Sequence, residues 1–218
     1  MSNKRFAVIL SGSGVYDGSE INEVVLTLLA LEECKINYQC FAPDIEQHHV
    51  VNHVKGEVSA DTRNVLNESA RIVRGKVRNI KECITQEFNA LIVPGGFGVA
   101  KNLSDYAFKG QAFEINPEVL TVLKDFKSAK KPAGYMCIAP VLLPAVYGPG
   151  VVLTVGNDDE TIYVIEKLGG IHKVAKVDDI VVDTSNRVVT TPAYMLADGV
   201  LEARMGIYKL VSKLDEMS

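Results

Sequence analysis

Two unbroken apolar runs, each stopped by glycine, constrain this chain more than any other feature. Phe6-Ala7-Val8-Ile9-Leu10 ends at Ser11-Gly12-Ser13-Gly14, and Ala90-Leu91-Ile92-Val93 ends at Pro94-Gly95-Gly96. A strand with one wet face alternates polar and apolar residues. A run with no polar member has no face for water and reads as a strand buried on both sides. Such a strand needs helices to cover it. Ile21, Val24, Val25, Leu28, Leu29 and Leu31 supply helical spacing over residues 20–33, with Ser19 as the expected N-cap. Residues 36–42 alternate as a second strand, closed by Pro43-Asp44. Strand, helix and strand in succession form a βαβ unit, hence a parallel pair with a right-handed crossover.

The pattern continues. Helices are expected over 62–72, 79–88 and 117–128, the last opened by Pro117, and residues 98–116 read as a loop with short helices. A short apolar stretch leads to Cys137, and a helix-like segment at 141–146 follows almost at once. A strand is expected at 151–155, then a helix at 160–168 ended by Gly169-Gly170. Residues 180–183 and 187–190 flank Thr184-Ser185-Asn186 as a hairpin, and 197–214 forms a closing amphipathic helix. This alternation indicates one α/β domain over residues 1–218. In a parallel sheet the loops after the strands gather at the carboxyl edge, so residues 12–20, 94–98 and Cys137 are expected to converge.

Composition narrows the function. With 218 residues and 47% hydrophobic content the chain can bury a full core. A net charge of −4 weighs against nucleic acid as a partner, and no apolar run reaches the roughly 18 residues that span a bilayer. The first apolar segment, Phe6 to Leu10, is too short to be a signal-peptide core, so a cytoplasmic protein is expected. Cys34, Cys40, Cys83 and Cys137 form no C-x-x-C pair, and the first three read as reduced, buried thiols. His48, His49 and His53 fit no standard zinc spacing and read as a solvated loop. His172 is alone, and no metal is expected. Gly12-Ser13-Gly14 hints at a dinucleotide loop, with Asp44 where a ribose-binding acid would sit. The third glycine is displaced, however, and Asp17 would repel a phosphate, so no cofactor is expected.

Cys137 is the candidate nucleophile. A residue in so sharp a strand-to-helix turn is held exposed and strained, and an adjacent helix N-terminus favours thiolate over thiol. A buried structural cysteine is the competing reading. Backbone N–H groups of Gly96 and of Ile138 are the candidate oxyanion-hole donors, although the glycines after Pro94 equally suit a plain tight turn. Glu20 opens the first helix. It either complements the helix dipole or, if protonated beside Cys137, donates a hydrogen bond to the thiolate and relays protons.

These residues resemble the PfpI/ThiJ superfamily, with its class I glutamine-amidotransferase-like fold. Residues 93–103 are similar to its Pro-Gly-Gly loop, Met136-Cys137-Ile138-Ala139-Pro140 to its nucleophile elbow, and Glu20 falls where the family has its cysteine-facing glutamate. Residues 10–20, 178–183 and 190–197 resemble the ElbB-like branch, called enhancing lycopene biosynthesis or isoprenoid-biosynthesis glyoxalase. The resemblance covers essentially the whole chain. It implies a three-layer flavodoxin-like sandwich, a homodimer, and a Cys137–Glu20 pair beneath an oxyanion hole. It also implies glyoxalase-type conversion of a small aldehyde substrate, such as methylglyoxal or glyoxal, through a cysteine hemithioacetal without glutathione. One departure bears on mechanism. Relatives with a triad place a histidine right after the cysteine or after a later strand, where this chain has Ile138 and Thr154-Val155-Gly156-Asn157. Without it, hydrolysis lacks its general base and is expected to be slow. Two rival readings are a redox sensor or chaperone-like protein with an oxidisable Cys137, and a metabolite-binding module at residues 12–18.

Overall fold

The computed structural model describes residues 4–218. In chain order the elements are β1 (Arg5–Ile9), α1 (Ile21–Glu33), β2 (Asn37–Ala42), β3 (Val50–Asn52), β4 (Glu57–Ser59), α2 (Val65–Ile72), β5 (Val77–Asn79) and β6 (Ala90–Val93). There follow α3 (Tyr106–Lys109), α4 (Pro117–Ser128), β7 (Ala133–Met136), α5 (Leu143–Tyr147), β8 (Val152–Leu153), α6 (Asp159–Lys167), β9 (Ile171–His172), β10 (Val181–Asp183), β11 (Val188–Thr191) and α7 (Val200–Met217). The main sheet runs β10-β11-β7-β6-β1-β2-β5. Only the β10–β11 pair is antiparallel.

The unbroken apolar runs are explained by two cores. Ala7 and Ile9 of β1, with Leu91 and Val93 of β6, join Val119, Leu123, Phe126, Leu143, Val146 and Ile165 from α4, α5 and α6. Phe6, Val8, Ala90 and Ile92 point the other way, to Val24 and Leu31 of α1 and to Ala203, Ile207 and Leu210 of α7. This is the expected three-layer α/β sandwich. Gly134 in β7 has a packing role. A Cβ there would stand 2.6 Å from Leu210 Cδ2 and 2.7 Å from Leu214 Cδ1, so its absence lets α7 lie on the strand that leads to Cys137.

Four details differ from the sequence reading. The apolar stripe of α1 is only partly buried: Val24 and Leu31 are buried, together with Glu23, Thr27 and Ala30, whereas Ile21, Val25 and Leu29 are 42%, 49% and 41% exposed. Residues 79–88 form two 3-10 turns, Ile80–Glu82 and Thr85–Glu87, rather than one helix. The strand expected at 151–155 shortens to β8, which pairs with β9 outside the main sheet. The histidine segment includes part of a small hairpin, β3–β4, which is too short and polar to show a periodic pattern. His53 there accepts the Tyr16 N–H at 3.2 Å, and His48 stacks on Phe108. Among the described residues no helix is long and apolar enough to cross a membrane.

Candidate active site

The three expected segments do converge at the carboxyl edge. Val15 and Gly18 carbonyls accept the N–H groups of Phe97 and Gly98, each at 2.8 Å, and the Glu20 N–H donates to the Gly95 carbonyl at 3.0 Å. Asn102 Nδ2 ties the first loop down, donating to the Ser11 and Asp17 carbonyls at 2.9 Å each. The loop is full of its own backbone. A Cβ on Gly18 would stand 2.6 Å from the Gly12 carbonyl carbon, and buried Asp17 accepts the Val51 N–H at 2.6 Å. The glycines therefore serve close self-packing, and that leaves no cradle for a dinucleotide phosphate.

β7 delivers Cys137 in a left-handed conformation, φ 57°, with its N–H donating to the Thr191 carbonyl at 3.1 Å. That strained backbone is the elbow geometry. The next element is not the expected α-helix but a 3-10 turn, Ala139–Leu142, before the short α5. Pro140 and Pro144 sit early in these turns and carry no N–H, so little helix dipole reaches the sulfur. Two backbone donors reach it instead, from Gly96 and Ile138, and both favour the thiolate. They are the two residues read as oxyanion donors. Burial and the neighbouring carboxyl of Glu23 outweigh them and hold the thiol proton well above its ordinary range. The expectation that the elbow alone favours thiolate is thereby corrected.

The carboxyl beside Cys137 is that of Glu23, not Glu20. Glu20 is itself the N-cap of α1, with its Oε2 accepting the Glu23 N–H at 2.6 Å. Ser19, expected as the cap, instead accepts the Ser11 N–H at 2.8 Å through Oγ. One turn further in, Glu23 is 0% exposed. Its Oε2 accepts the Gly95 N–H at 2.7 Å, its Oε1 accepts the Tyr194 N–H at 3.1 Å, and its side chain hydrogen-bonds Cys137. Burial first, then the Glu20 charge, push its pKa up to about 7. Gly95 makes the contact possible: a Cβ there would stand 2.8 Å from Glu23 Oε2 and 2.9 Å from Cys137 Sγ. Ala193, at φ 44°, turns the chain so that the Tyr194 N–H meets Glu23. The available signal for Glu23 was a carboxylate at i, i+4, i+7, i+8 with Thr27, Ala30 and Leu31, a buried helix face.

Cys137 opens into a cavity of about 370 Å³ whose walls include Gly96, Phe97, Ala100, Tyr106, Ile138, Tyr194 and Met195. His172 lies elsewhere, in β9, where its Nε2 accepts the Val155 N–H at 3.3 Å. The other cysteines are free. Cys40 and Cys83 are buried with pKa values pushed up to about 12, mainly by burial, while Cys34 is half-buried rather than buried as expected.

No family model matches the chain. Two curated relatives match nearly all of it. The ES1 protein homolog, mitochondrial, of Rattus norvegicus is 45% identical over 98% of this chain and 84% of its own length. The glutamine amidotransferase-like class 1 domain-containing protein 3, mitochondrial, of Homo sapiens is 44% identical over 98% and 83%. Both are named mitochondrial, which overturns the cytoplasmic reading; an apolar pattern near the first strand carries no compartment address. Among solved structures, an isoprenoid biosynthesis protein with an amidotransferase-like domain from Ehrlichia chaffeensis has a TM-score of 0.92 and 39% identity, covering 98% of this chain and 99% of that one. Glyoxalase III from Candida albicans shares the fold at a TM-score of 0.64 and 10% identity, over 99% and 97%. With its elbow, its glycine loop and these whole-length relatives, the chain belongs to the ES1 and glutamine amidotransferase-like class 1 family.

Proposed function

We propose that the protein is a glyoxalase-type enzyme that converts a 2-oxoaldehyde to a 2-hydroxy acid without glutathione. The observation that carries this is the hydrogen-bonded Cys137–Glu23 pair beneath the Gly96 and Ile138 N–H groups. With Glu23 titrating near neutrality, its carboxylate form is available there, hydrogen-bonded to the sulfur, as the base for the thiol. Glu23 takes the thiol proton, and the thiolate adds to the aldehyde carbon as a hemithioacetal. The Gly96 and Ile138 donors hold the oxygen that becomes negative. Glu23 returns the thiol proton to that oxygen, and its carboxylate then moves the proton from the aldehyde carbon to the neighbouring carbonyl carbon through an enediol while the hemithioacetal hydroxyl proton passes to the neighbouring oxygen, which leaves a hydroxyacyl thioester. Water releases the acid and restores the thiol. No histidine lines the cavity among the described residues, so this last step has no imidazole base and limits the rate.

The test is lactate formation from methylglyoxal by purified protein. Wild type forming lactate no faster than Cys137→Ala would sink the proposal. The rival reading, an oxidisable sensor thiol, is favoured by the same acid, which could donate a hydrogen bond to a sulfinate. Mild peroxide followed by intact mass separates the two. A sensor gains two oxygens on Cys137 while Cys34 stays unmodified, and it gains them whether or not lactate is made.

A further inference from the structure

The cavity over Cys137 carries charge of one sign. Asp158 and Glu160 line it, and among the described residues its walls include no Lys, Arg or His. Lys101, whose Nζ lies 5.3 Å over the Phe97 ring, is held by the Tyr16 carbonyl, to which it donates at 2.8 Å, and is not among the cavity walls. Burial first, and then the Asp158 and Glu160 charges, hold the proton of the Tyr106 hydroxyl, which hydrogen-bonds the Thr161 side chain. The N-terminus of α6 does not reverse the sign. Asp158 Oδ2 already accepts the Thr161 N–H at 2.9 Å, and Asp159 and Glu160 follow in the first turn.

Size and lining add a second constraint. About 370 Å³ falls in the range of pockets that hold drug-sized ligands, roughly 300–1,000 Å³, and exceeds what a three-carbon aldehyde fills. Phe97, Tyr106 and Tyr194 present rings to it, and aromatic faces attract cations. The nucleophile, only 8% exposed, sits in the same space. We propose that this cavity selects a carbonyl compound with an apolar or aromatic body and a cationic group, an ammonium in particular, and excludes anionic ones; this rests on the glyoxalase-type reading of Cys137. The carbonyl carbon meets the sulfur beneath Gly96 and Ile138. The cationic group lies against Asp158, Glu160 and the Tyr106 ring.

Three methanethiosulfonates test the selection without needing turnover: a trimethylammonium-ethyl, a methyl and a sulfonatoethyl reagent. Each forms a mixed disulfide with Cys137 and releases methanesulfinate, and intact mass gives the rates. Relative to the methyl reagent, the cationic one should react faster than the anionic one by about tenfold or more at low salt. Asp158→Asn with Glu160→Gln should bring the two rates close together, and asparagine keeps the α6 cap. Equal rates in wild type, or a preference that survives in the double variant, would overturn the proposal. In parallel, a trimethylammonium-substituted phenylglyoxal should be turned over in preference to a carboxy-substituted one. Lactate from methylglyoxal without any charge preference overturns the selection alone. Charge preference without lactate overturns the glyoxalase-type reading and leaves the selection standing.

Discussion

The Glu23 carboxyl and the Cys137 thiol share one buried hydrogen bond. Glu23 raises the proton affinity of the thiol, whereas the thiol's hydrogen bond lowers that of the carboxyl; the N–H groups of Gly95 and Tyr194 hold the carboxyl in place while those of Gly96 and Ile138 favour the thiolate. Near neutrality the thiol keeps its proton and Glu23 titrates, so the pair's negative charge resides on the carboxylate.

Stability should fall as pH rises through this pair. The folded pKa of Glu23, about 7, lies above its ordinary 4.5. The folded state thus binds the proton more tightly than the unfolded chain between those values, and the contribution is fully present below 4.5 and lost above 7. Its size is on the order of 3 kcal/mol. Urea midpoints followed from pH 4 to pH 8 should show the decline, and Glu23→Gln should flatten most of it. A wild-type curve that rises across this window would contradict the assignment.

Gly95→Ala should separate the pair. The new methyl cannot coexist with Glu23 Oε2 and Cys137 Sγ at 2.8 and 2.9 Å, so one of them must move. The expected cost is about 1–3 kcal/mol of stability, with a shifted Glu23 carboxyl band as its Gly95 and Cys137 hydrogen bonds change. A carboxyl infrared band unchanged from wild type in this variant would contradict the packing argument.

Glu20 tunes the pair from outside it. Its charge is the second cause of the raised Glu23 pKa. Glu20→Gln should shift the pH midpoint of Cys137 alkylation downward by a fraction of a unit. Glu20→Ala should do the same and also cost about 1 kcal/mol through the lost cap. An upward shift in either would show that Glu20 does not act on the pair by charge.

Much of the frame was legible in the sequence because its signals are local. Apolar runs such as residues 6–10 can only be doubly buried strands, and Gly95-Gly96 and Cys137 sit at strand ends where a parallel sheet collects them. The acid was harder to read. Ile21, Val25 and Leu29 keep helical spacing yet face outward, while only Val24 and Leu31 of the apolar stripe mark the buried face on which Glu23 lies. Glu20, first in the helix, looked like the site residue because capping and catalysis use the same side chain. β8 and β9, two residues each, left no periodicity to detect.

The most direct test compares methylglyoxal turnover by wild type, Cys137→Ala, Glu23→Gln and Glu20→Gln at pH 7. The account predicts that Glu23→Gln falls about 10²-fold or more, toward the Cys137→Ala background, while Glu20→Gln retains most of the wild-type rate. An active Glu23→Gln beside an inactive Glu20→Gln would contradict it.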